Sequence, residues 1–350
     1  MDTTDRQRID LMKLVLMMGI ILIHCGMTSN IELTDGNRHA FAFIEAMTST
    51  VLQVSVKSFF ILSGFLFFRN MDLSASFMPM KIFSQKLRSR FNSLFVPYVL
   101  WCTIAGILLV FKSRYLGFEG HGVIGDSGNL DPLVFLKGYW DLTDGYPLAF
   151  AFWFIRNLMI FVILSPVVYV MARHTTAVIL LYCILIVSGL NLYGFEYFLL
   201  GAWLGGCKIS LFDARHRRWL PGWIIVYAIS LYCNLACSLP PVPDRLMGVA
   251  MNVSVFAILV SLISLTCHRP FGVFIRALIP STFFLYAFHE LYCTVVRKMW
   301  LRVFGDGTDA GLLLTYALSF VTLVASSWIV YKIVSVTAPR LMAVLTGGRK

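Results

Sequence analysis

Long apolar runs recur along the whole sequence and are separated by short polar segments. A run of about 17–25 apolar residues allows an α-helix to cross the hydrocarbon of a bilayer. Ten segments fit or approach this length, at 9–28, 46–68, 95–112, 148–170, 176–193, 195–208, 220–239, 246–267, 279–300 and 311–334. The fifth and sixth are the least distinct, because few residues separate them and the sixth is short. The pattern predicts an all-α polytopic integral membrane protein with about ten transmembrane helices.

Composition supports a membrane protein and argues against a soluble one. Hydrophobic residues make up 58% of the 350 residues and charged residues only 13%, whereas soluble domains carry about 25% charged residues. The net charge of +11 could suggest nucleic acid as a partner. Its basic residues lie in short loops between apolar runs, however, so membrane orientation explains the charge better.

The charged loops alternate in sign along the chain. One set of loops is basic and carries Arg69, Lys81, Lys86, Arg88, Arg90, Arg173, Lys208, Arg215, Arg217, Arg218, Arg269 and Arg276. The other set is acidic and carries Glu32, Asp35, Glu119, Asp126, Asp131, Asp141, Asp144, Asp244, Asp306 and Asp309. Because basic loops stay in the cytoplasm, we expect both termini there. No linker or repeat divides the chain, so we expect one membrane domain over residues 1–350.

The longest outer loop runs from about residue 113 to 147 and is rich in glycine, aspartate and aromatic residues. Flat aromatic rings beside carboxylates are typical of carbohydrate-binding surfaces, and Tyr139, Trp140 and Tyr146 could serve in this way. The same residues would equally suit an ordinary loop with aromatic side chains at the membrane interface. The sequence leaves both interpretations open.

Six ionisable residues fall inside or at the ends of the apolar segments. They are Lys13, His24, Lys57, Arg156, His289 and Glu290. Such a side chain at membrane depth costs about 2.5 kcal/mol or more, so each is a candidate for function. We expect Glu290 to be the counter-ion of Arg156 or Lys57, since unpaired charges are costly there. His289 could be a site residue or a hydrogen-bonded structural residue.

Lys13 and His24 lie eleven residues apart in the first segment. In a helix this spacing separates them by roughly 16 Å along the axis and by only about 20° around it. A cation at the cytoplasmic end and an imidazole deeper on the same face suit a long substrate with an anionic head, such as coenzyme A. Alternatively, Lys13 extends to the interface without further function, and His24 makes a structural hydrogen bond between helices.

Other motifs narrow the chemistry. Ser63 and Gly64 form a small-residue step in the second segment, which allows close helix approach or passage of a ligand arm. The sequence has no HExxH, P-loop or zinc-finger spacing and no GxSxG motif, so we expect neither a metal site nor a hydrolase triad.

Taken in order, the motifs resemble those of the membrane-bound acyltransferase 3 family. The resemblance begins with Arg8-Ile-Asp10 and with Lys13 followed by His24, and continues with SFFILSGFLFF. It goes on through the basic segment ending at Arg90, Val96-Pro97-Tyr98, WFIRNL, Ser165-Pro166, the step from Phe198 to Gly201, and STFFLYAFH. These motifs span nearly the whole chain, and their order is more specific than any one of them.

The resemblance implies a bacterial inner-membrane O-acyltransferase. Such an enzyme would move an acyl group, acetyl above all, from cytoplasmic acyl-CoA to a hydroxyl of a cell-envelope glycan or lipid-linked sugar, without a permanently bound cofactor. His24 would be the general base or a transient acyl carrier. Lys13, Arg69, Lys86, Arg88 and Arg90 would bind the CoA phosphates, and Ser63, Trp153, Arg156, His289 and Glu290 would contact substrate. Arg156 could stabilise the oxyanion.

Two positions depart from the family pattern. Many members have arginine where Lys13 stands, so this chain keeps the charge but loses the bidentate guanidinium. Some members have aspartate in place of Asn157, so a carboxylate that could orient Arg156 is missing. A transporter or exporter of glycans or small metabolites is the alternative function, because buried charges in a helical membrane protein suit both. The acyl group, the acceptor and a homo-oligomeric state stay open.

Overall fold

The computed structural model describes residues 3–26, 31–116, 132–140, 146–265 and 272–348. These residues form helices and no strands, in agreement with the all-α prediction. In chain order the helices are α1 (Thr3–Cys25), α2 (Arg38–Ala46), α3 (Val54–Phe68), α4 (Met80–Arg90), α5 (Val96–Leu116), α6 (Pro132–Gly138), α7 (Trp153–Ile163), α8 (Ser165–Ala172), α9 (Thr175–Ser188), α10 (Phe195–Gly206), α11 (Leu220–Ala236), α12 (Pro241–Leu265), α13 (Val273–Leu278), α14 (Thr282–Phe288), α15 (Glu290–Phe304), α16 (Asp309–Thr337) and α17 (Pro339–Leu345).

Each of the ten predicted segments contains helix, but their lengths differ. Within the described ranges, five stretches are long and apolar enough to cross a membrane: 38–68, 80–115, 215–236, 241–265 and 309–337. A sixth results if α7 and α8 count as one broken span. Leu164 separates these two helices, and Pro166 follows at the start of α8, where its missing N–H costs no helical hydrogen bond. The chain is therefore a multi-pass membrane protein.

The helices group into two compact units, which we describe separately. Unit 1 comprises Met1–Phe83 and Leu164–Ile279, and unit 2 comprises Ser84–Ile163 and Pro280–Lys350. The chain passes from one unit to the other three times, so neither unit is a continuous stretch of sequence. For this reason no linker composition marks their boundary.

Glycines bring α3 and α10 into backbone contact in unit 1. A Cβ added at Gly64 would lie 2.0 Å from the Phe198 oxygen, and one at Gly201 would lie 1.9 Å from the Ile61 oxygen. At Gly205 the added atom would meet the Phe65 oxygen at 2.8 Å. Only glycine permits such an approach, as in small-residue helix pairs of other membrane proteins. Because residue numbers rise together along both helices, α3 and α10 run parallel.

The first helix runs antiparallel to the α2–α3 segment in the same unit. A Cβ at Gly19 would meet the Ser55 side chain, and one at Gly26 would meet Thr48. At the opposite end, Arg69 lies 3.5 Å from the Asp5 carboxylate. These contacts fix the depth of each α1 residue relative to α3.

Side-chain hydrogen bonds connect the helices of unit 2. The Trp101 indole donates to the Leu345 oxygen at 3.0 Å, which holds α17 against α5. Tyr286 on α14 donates to the Ala151 oxygen at 2.5 Å. Tyr292 on α15 lies 2.7 Å from the Ser326 hydroxyl and 2.8 Å from the Ser327 hydroxyl of α16. Such hydrogen bonds between membrane helices typically contribute about 0.6 kcal/mol each.

Candidate active site

Lys13 and His24 lie on one unbroken helix. The 23 residues of α1 have no interruption between them, so the expected separation of roughly 16 Å along one face applies. His24, however, is the penultimate residue of α1 and is half-buried. The first segment was expected to continue as helix to residue 28, with His24 deep inside it. The imidazole instead occupies the helix end, next to the negative end of the helix dipole.

Lys13 already has an anionic partner. Its ammonium lies 2.9 Å from the Asp10 carboxylate one turn earlier, and the two side chains are 39% and 35% exposed. An ion pair this exposed contributes only about 0–1 kcal/mol. A phosphate group could therefore compete with Asp10 for the lysine at little cost.

Arg69 joins a small cluster at the same end of unit 1. The Asp5 carboxylate lies 3.5 Å from Arg69 and 3.3 Å from Arg8. The Arg69 guanidinium also stacks over the Phe65 ring at 5.7 Å, and Arg8 over the Phe212 ring at 5.6 Å. Two guanidinium groups share one carboxylate, so the cluster keeps one positive charge.

The loop after Arg69 is fixed by hydrogen bonds. Tyr169 donates to the backbone oxygen of Asp72 at 2.7 Å, and Arg173 donates to the backbone oxygen of Ser76 at 2.9 Å. The hydroxyl and the backbone N–H of Ser74 both donate to Asp72, at 2.7 and 3.0 Å, and they lower the pKa of this carboxyl below its usual value. Asp72 thus stays ionised near neutral pH.

Ser63 is half-buried on α3, next to the glycine that contacts α10. Its position agrees with a small-residue step at a helix interface. Lys57 lies on the same helix, and the acid that acts on it is Glu196 in the first turn of α10. Sequence reasoning missed Glu196 because it falls at the very start of a predicted segment. An acid two residues after a glycine, in the first turn of a helix, was the available signal.

Arg156 lies in unit 2, where it is 5% exposed. Its Nε and Nη2 atoms lie 3.4 and 3.5 Å from the Asn157 Oδ1 atom. The amide oxygen of Asn157 therefore offers an acceptor to the Arg156 guanidinium. The Arg156 charge also acts electrostatically on Tyr98. Trp153, the first residue of α7, is half-buried.

Glu290 is the first residue of α15. In unit 2 the positive charges that act on its carboxylate are those of Lys112 and Arg297. Lys112 donates to the Leu291 oxygen, so its ammonium is held at the start of α15. The pairing of Glu290 with Arg156 or Lys57 stays a prediction.

His289 is fully buried at the junction of α14 and α15. Its Nδ1 atom lies 2.9 Å from the Leu285 oxygen of the preceding turn. This contact agrees with the structural interpretation, and a role in substrate contact stays a prediction.

The basic residues Lys86, Arg88 and Arg90 lie on α4. Arg88 is exposed, whereas Lys86 and Arg90 are half-buried and lie four residues apart, so they share a side of the helix. We expected this segment to be a cytoplasmic loop, but it is helical and leads through 91–95 into α5. A role in phosphate binding stays a prediction for all three.

The aromatic residues of the long outer loop have mixed surroundings. The Tyr139 hydroxyl lies 2.6 Å from the Thr103 hydroxyl, and Trp140 meets the edge of Tyr98 at 6.0 Å. Tyr146 is 46% exposed and packs on Phe150. The acids Glu119, Asp126, Asp131, Asp141 and Asp144, like Arg269 elsewhere, lie outside the described residues.

Within the described residues, no group of three or more histidine, cysteine, aspartate or glutamate side chains could hold a metal ion.

Comparisons with known proteins give one family and one relative. A family model described as an acyltransferase domain matches residues 6–332. The succinoglycan biosynthesis protein ExoH of Rhizobium meliloti (strain 1021) is 24% identical over 366 residues, which cover 100% of this chain and 94% of that protein. No solved structure matches the chain.

Proposed function

The chain belongs to the membrane-bound acyltransferase 3 family, and we propose that it transfers an acyl group from cytoplasmic acyl-CoA to a hydroxyl of a cell-envelope glycan. The family match over residues 6–332 carries this proposal. The similar protein is named for succinoglycan biosynthesis, which supports a polysaccharide or its lipid-linked precursor as the acceptor. Acetyl is the acyl group that we propose to test first.

We propose that acyl-CoA binds along α1. Its phosphates would take the place of the Asp10 carboxylate beside Lys13 and would lie near Arg69. Both side chains would donate charge-assisted hydrogen bonds to the phosphates. The pantetheine arm would then extend the roughly 16 Å to His24. Ser63, half-buried on α3, would lie beside this arm.

His24 would act as the general base in the transfer. It would take the proton from the acceptor hydroxyl while the oxygen attacks the thioester carbonyl. Collapse of the tetrahedral intermediate would break the carbon–sulfur bond and form the ester, and the imidazolium would return its proton to the CoA thiolate. The C-terminal carbonyls of α1 would stabilise the positive imidazolium between these steps. Transient acylation of His24 is the alternative route.

The proposed site needs donor and acceptor on opposite sides of the membrane. We propose ten membrane-embedded helical segments with both termini in the cytoplasm of a bacterial cell, following the alternation of basic and acidic loops. The Asp5–Arg69 end of unit 1 then faces the cytoplasm, and the His24 end faces outward. The roles of Arg88, Arg90, Trp153, Arg156, His289 and Glu290 stay predictions from the family resemblance.

The decisive experiment follows the acyl group. Purified full-length protein in proteoliposomes receives radiolabelled acetyl-CoA and succinoglycan oligosaccharides freed of esters by mild alkali. We expect labelled ester and free CoA from the wild type, and a loss of at least a hundredfold in the His24→Ala variant, as is typical when a general base is removed.

His39→Ala is the matched control, because His39 is an exposed histidine on α2. It should retain wild-type rates. Transport of the oligosaccharide without ester formation would contradict the enzyme and favour the transporter. A fully active His24→Ala variant would remove His24 from the chemistry.

A further inference from the structure

The second helix of the α9–α10 hairpin begins well below the outer end of α1. The two helices have 14 and 12 residues, or about 21 and 18 Å, whereas the hydrocarbon core of a bilayer is about 30 Å thick. They form an antiparallel hairpin, since the Trp203 indole donates to the Thr175 hydroxyl at 3.1 Å and Tyr182 donates to the Glu196 oxygen at 3.1 Å. Neither helix is long enough to cross.

Contacts at one level of unit 1 measure how far the hairpin reaches. Arg69 pairs with Asp5, and its backbone nitrogen would lie 2.9 Å from a Cβ at Gly205. From this common level α10 extends nine residues back to Glu196, roughly 14 Å, whereas α1 extends nineteen residues to His24, roughly 28 Å. Glu196 therefore lies about halfway along α1.

The turn between the two helices reaches this depth only at its C-terminal end, because α9 ends at Ser188, six residues or roughly 9 Å beyond Tyr182. Gly189, Tyr193 and Gly194 have φ angles of 73, 54 and 99°, so the chain is far from helical. The Tyr193 ring is 65% exposed. Irregular backbone at membrane depth is tolerated only where protein buries it or where it lines a water-filled cavity. An exposed turn such as this one therefore points to water.

Charged and hydroxyl groups lie at both ends of the turn. At its start Arg245 of α12 donates to the Ile186 and Val187 oxygens, each at 3.1 Å. Lys57 lies seven residues before Gly64 and so shares the side of α3 that faces α10. It and Glu196 act on each other electrostatically, yet no ion pair within 4.0 Å joins these two described side chains. The buried Oε2 atom of Glu196 and the buried Ser58 hydroxyl have no hydrogen-bond partner in the described part of the chain.

We propose that unit 1 holds a water-filled pocket, open toward the His24 end, that binds a sugar residue of the acceptor glycan. Lys57 and Glu196 form its floor, and the residue 189–194 turn forms part of its wall. The carboxylate would accept hydrogen bonds from sugar hydroxyls, the ammonium would donate to sugar oxygens, and Tyr193 would offer a flat face. A neutral polyhydroxylated ring can use both charges, whereas a small anion or cation would be repelled by one of them.

The occupant of this pocket rests on the proposed function, but its hydration can be tested separately. In a variant without the eight natural cysteines, Asn191→Cys places a thiol on the turn. A membrane-impermeant maleimide should label it in intact cells. Leu180→Cys is the control, because this exposed apolar position in the middle of α9 should face lipid.

Absence of labelling at Asn191→Cys, in intact and permeabilised cells, would overturn the pocket. Labelling that requires permeabilisation would also overturn it, because the pocket would then open on the other side.

Direct binding tests the sugar. Equilibrium dialysis of radiolabelled ester-free succinoglycan oligosaccharide against the full-length protein in detergent needs no acyl-CoA. We expect Glu196→Gln and Lys57→Met each to weaken the Kd about tenfold, equivalent to about 1.4 kcal/mol. Glu32→Gln, an exposed carboxylate on the same side in the proposed topology, should leave the Kd unchanged.

The outcomes separate the two proposals. Oligosaccharide binding by the wild type without acyl transfer would contradict the proposed acyltransferase function and support the sugar-binding pocket. Acyl transfer with an unchanged Kd in both variants, or no binding by the wild type, would overturn the pocket. Should thermal unfolding show that either variant is misfolded, Tyr193→Ala on the exposed turn replaces it, with the same expected loss.

Discussion

In the proposed site, the position of each charged side chain depends on its hydrogen-bond and ion-pair partners as well as on its place in the sequence motif. Lys13 bonds to Asp10, Arg156 to the amide of Asn157, and Arg69 shares Asp5 with a second arginine. Sequence spacing could predict the Lys13–His24 face, because a continuous helix fixes it. The partners of Lys57 and Glu290 could not be predicted in this way, since they depend on which helices meet.

The Lys13–Asp10 pair leads to a prediction for donor binding. Lys13→Ala should raise the KM for acyl-CoA about tenfold and change kcat less, because it removes a charge-assisted hydrogen bond made in the ground state. Lys13→Arg should stay within about threefold of the wild type. Initial rates at varied acyl-CoA measure both.

Asp10→Asn tests the competition with phosphate. It removes the carboxylate that holds Lys13, so the KM for acyl-CoA should fall or stay the same. A KM that Lys13→Ala leaves unchanged would show that Lys13 does not bind the donor.

Among the elements, long uninterrupted runs were the most predictable. The first and last predicted segments correspond to α1 and α16, each a single helix. The fourth segment is broken at Leu164, and the ninth is divided between α14 and α15. Apolar composition continues through such breaks, so hydropathy alone could not locate them. Proline positions carried part of the signal.

The contact between α3 and α10 gives a prediction for stability. Gly201→Ala should destabilise the protein by about 1–3 kcal/mol or more, because the new methyl group would overlap the Ile61 oxygen and force the helices apart. Gly248→Ala is the matched control, since a Cβ there meets nothing within 4 Å inside α12. Alanine should be neutral or stabilising at that position.

Thermal unfolding in detergent compares the two glycine variants. A Gly201→Ala variant as stable as the wild type would contradict the close packing of these helices.

At the scale of the whole molecule, composition and charge established a multi-pass membrane protein. The all-α class followed from the same apolar runs, since a bilayer requires satisfied backbone groups. The two compact units did not follow, because each is assembled from separate stretches of sequence. Only tertiary contacts reveal such a division.

The proposed topology gives a labelling prediction. In the cysteine-free variant, Asp306→Cys between α15 and α16 should react with an impermeant maleimide in intact cells. Arg215→Cys, between α10 and α11, should react only after the membrane is permeabilised. The reverse pattern would contradict cytoplasmic termini, and equal labelling of both would contradict an alternation of sides.

The glycine contact also has a consequence for biosynthesis. Gly64 and Gly201 are 137 residues apart. During synthesis α3 therefore stays in the membrane without its packing partner until α10 has left the ribosome. During this interval much of unit 2 is synthesised, and α1, with its lysine and histidine, lacks part of its surroundings. Contacts between distant segments form late and expose intermediates. We therefore expect nascent chains that stop before residue 195 to be sensitive to quality-control proteases.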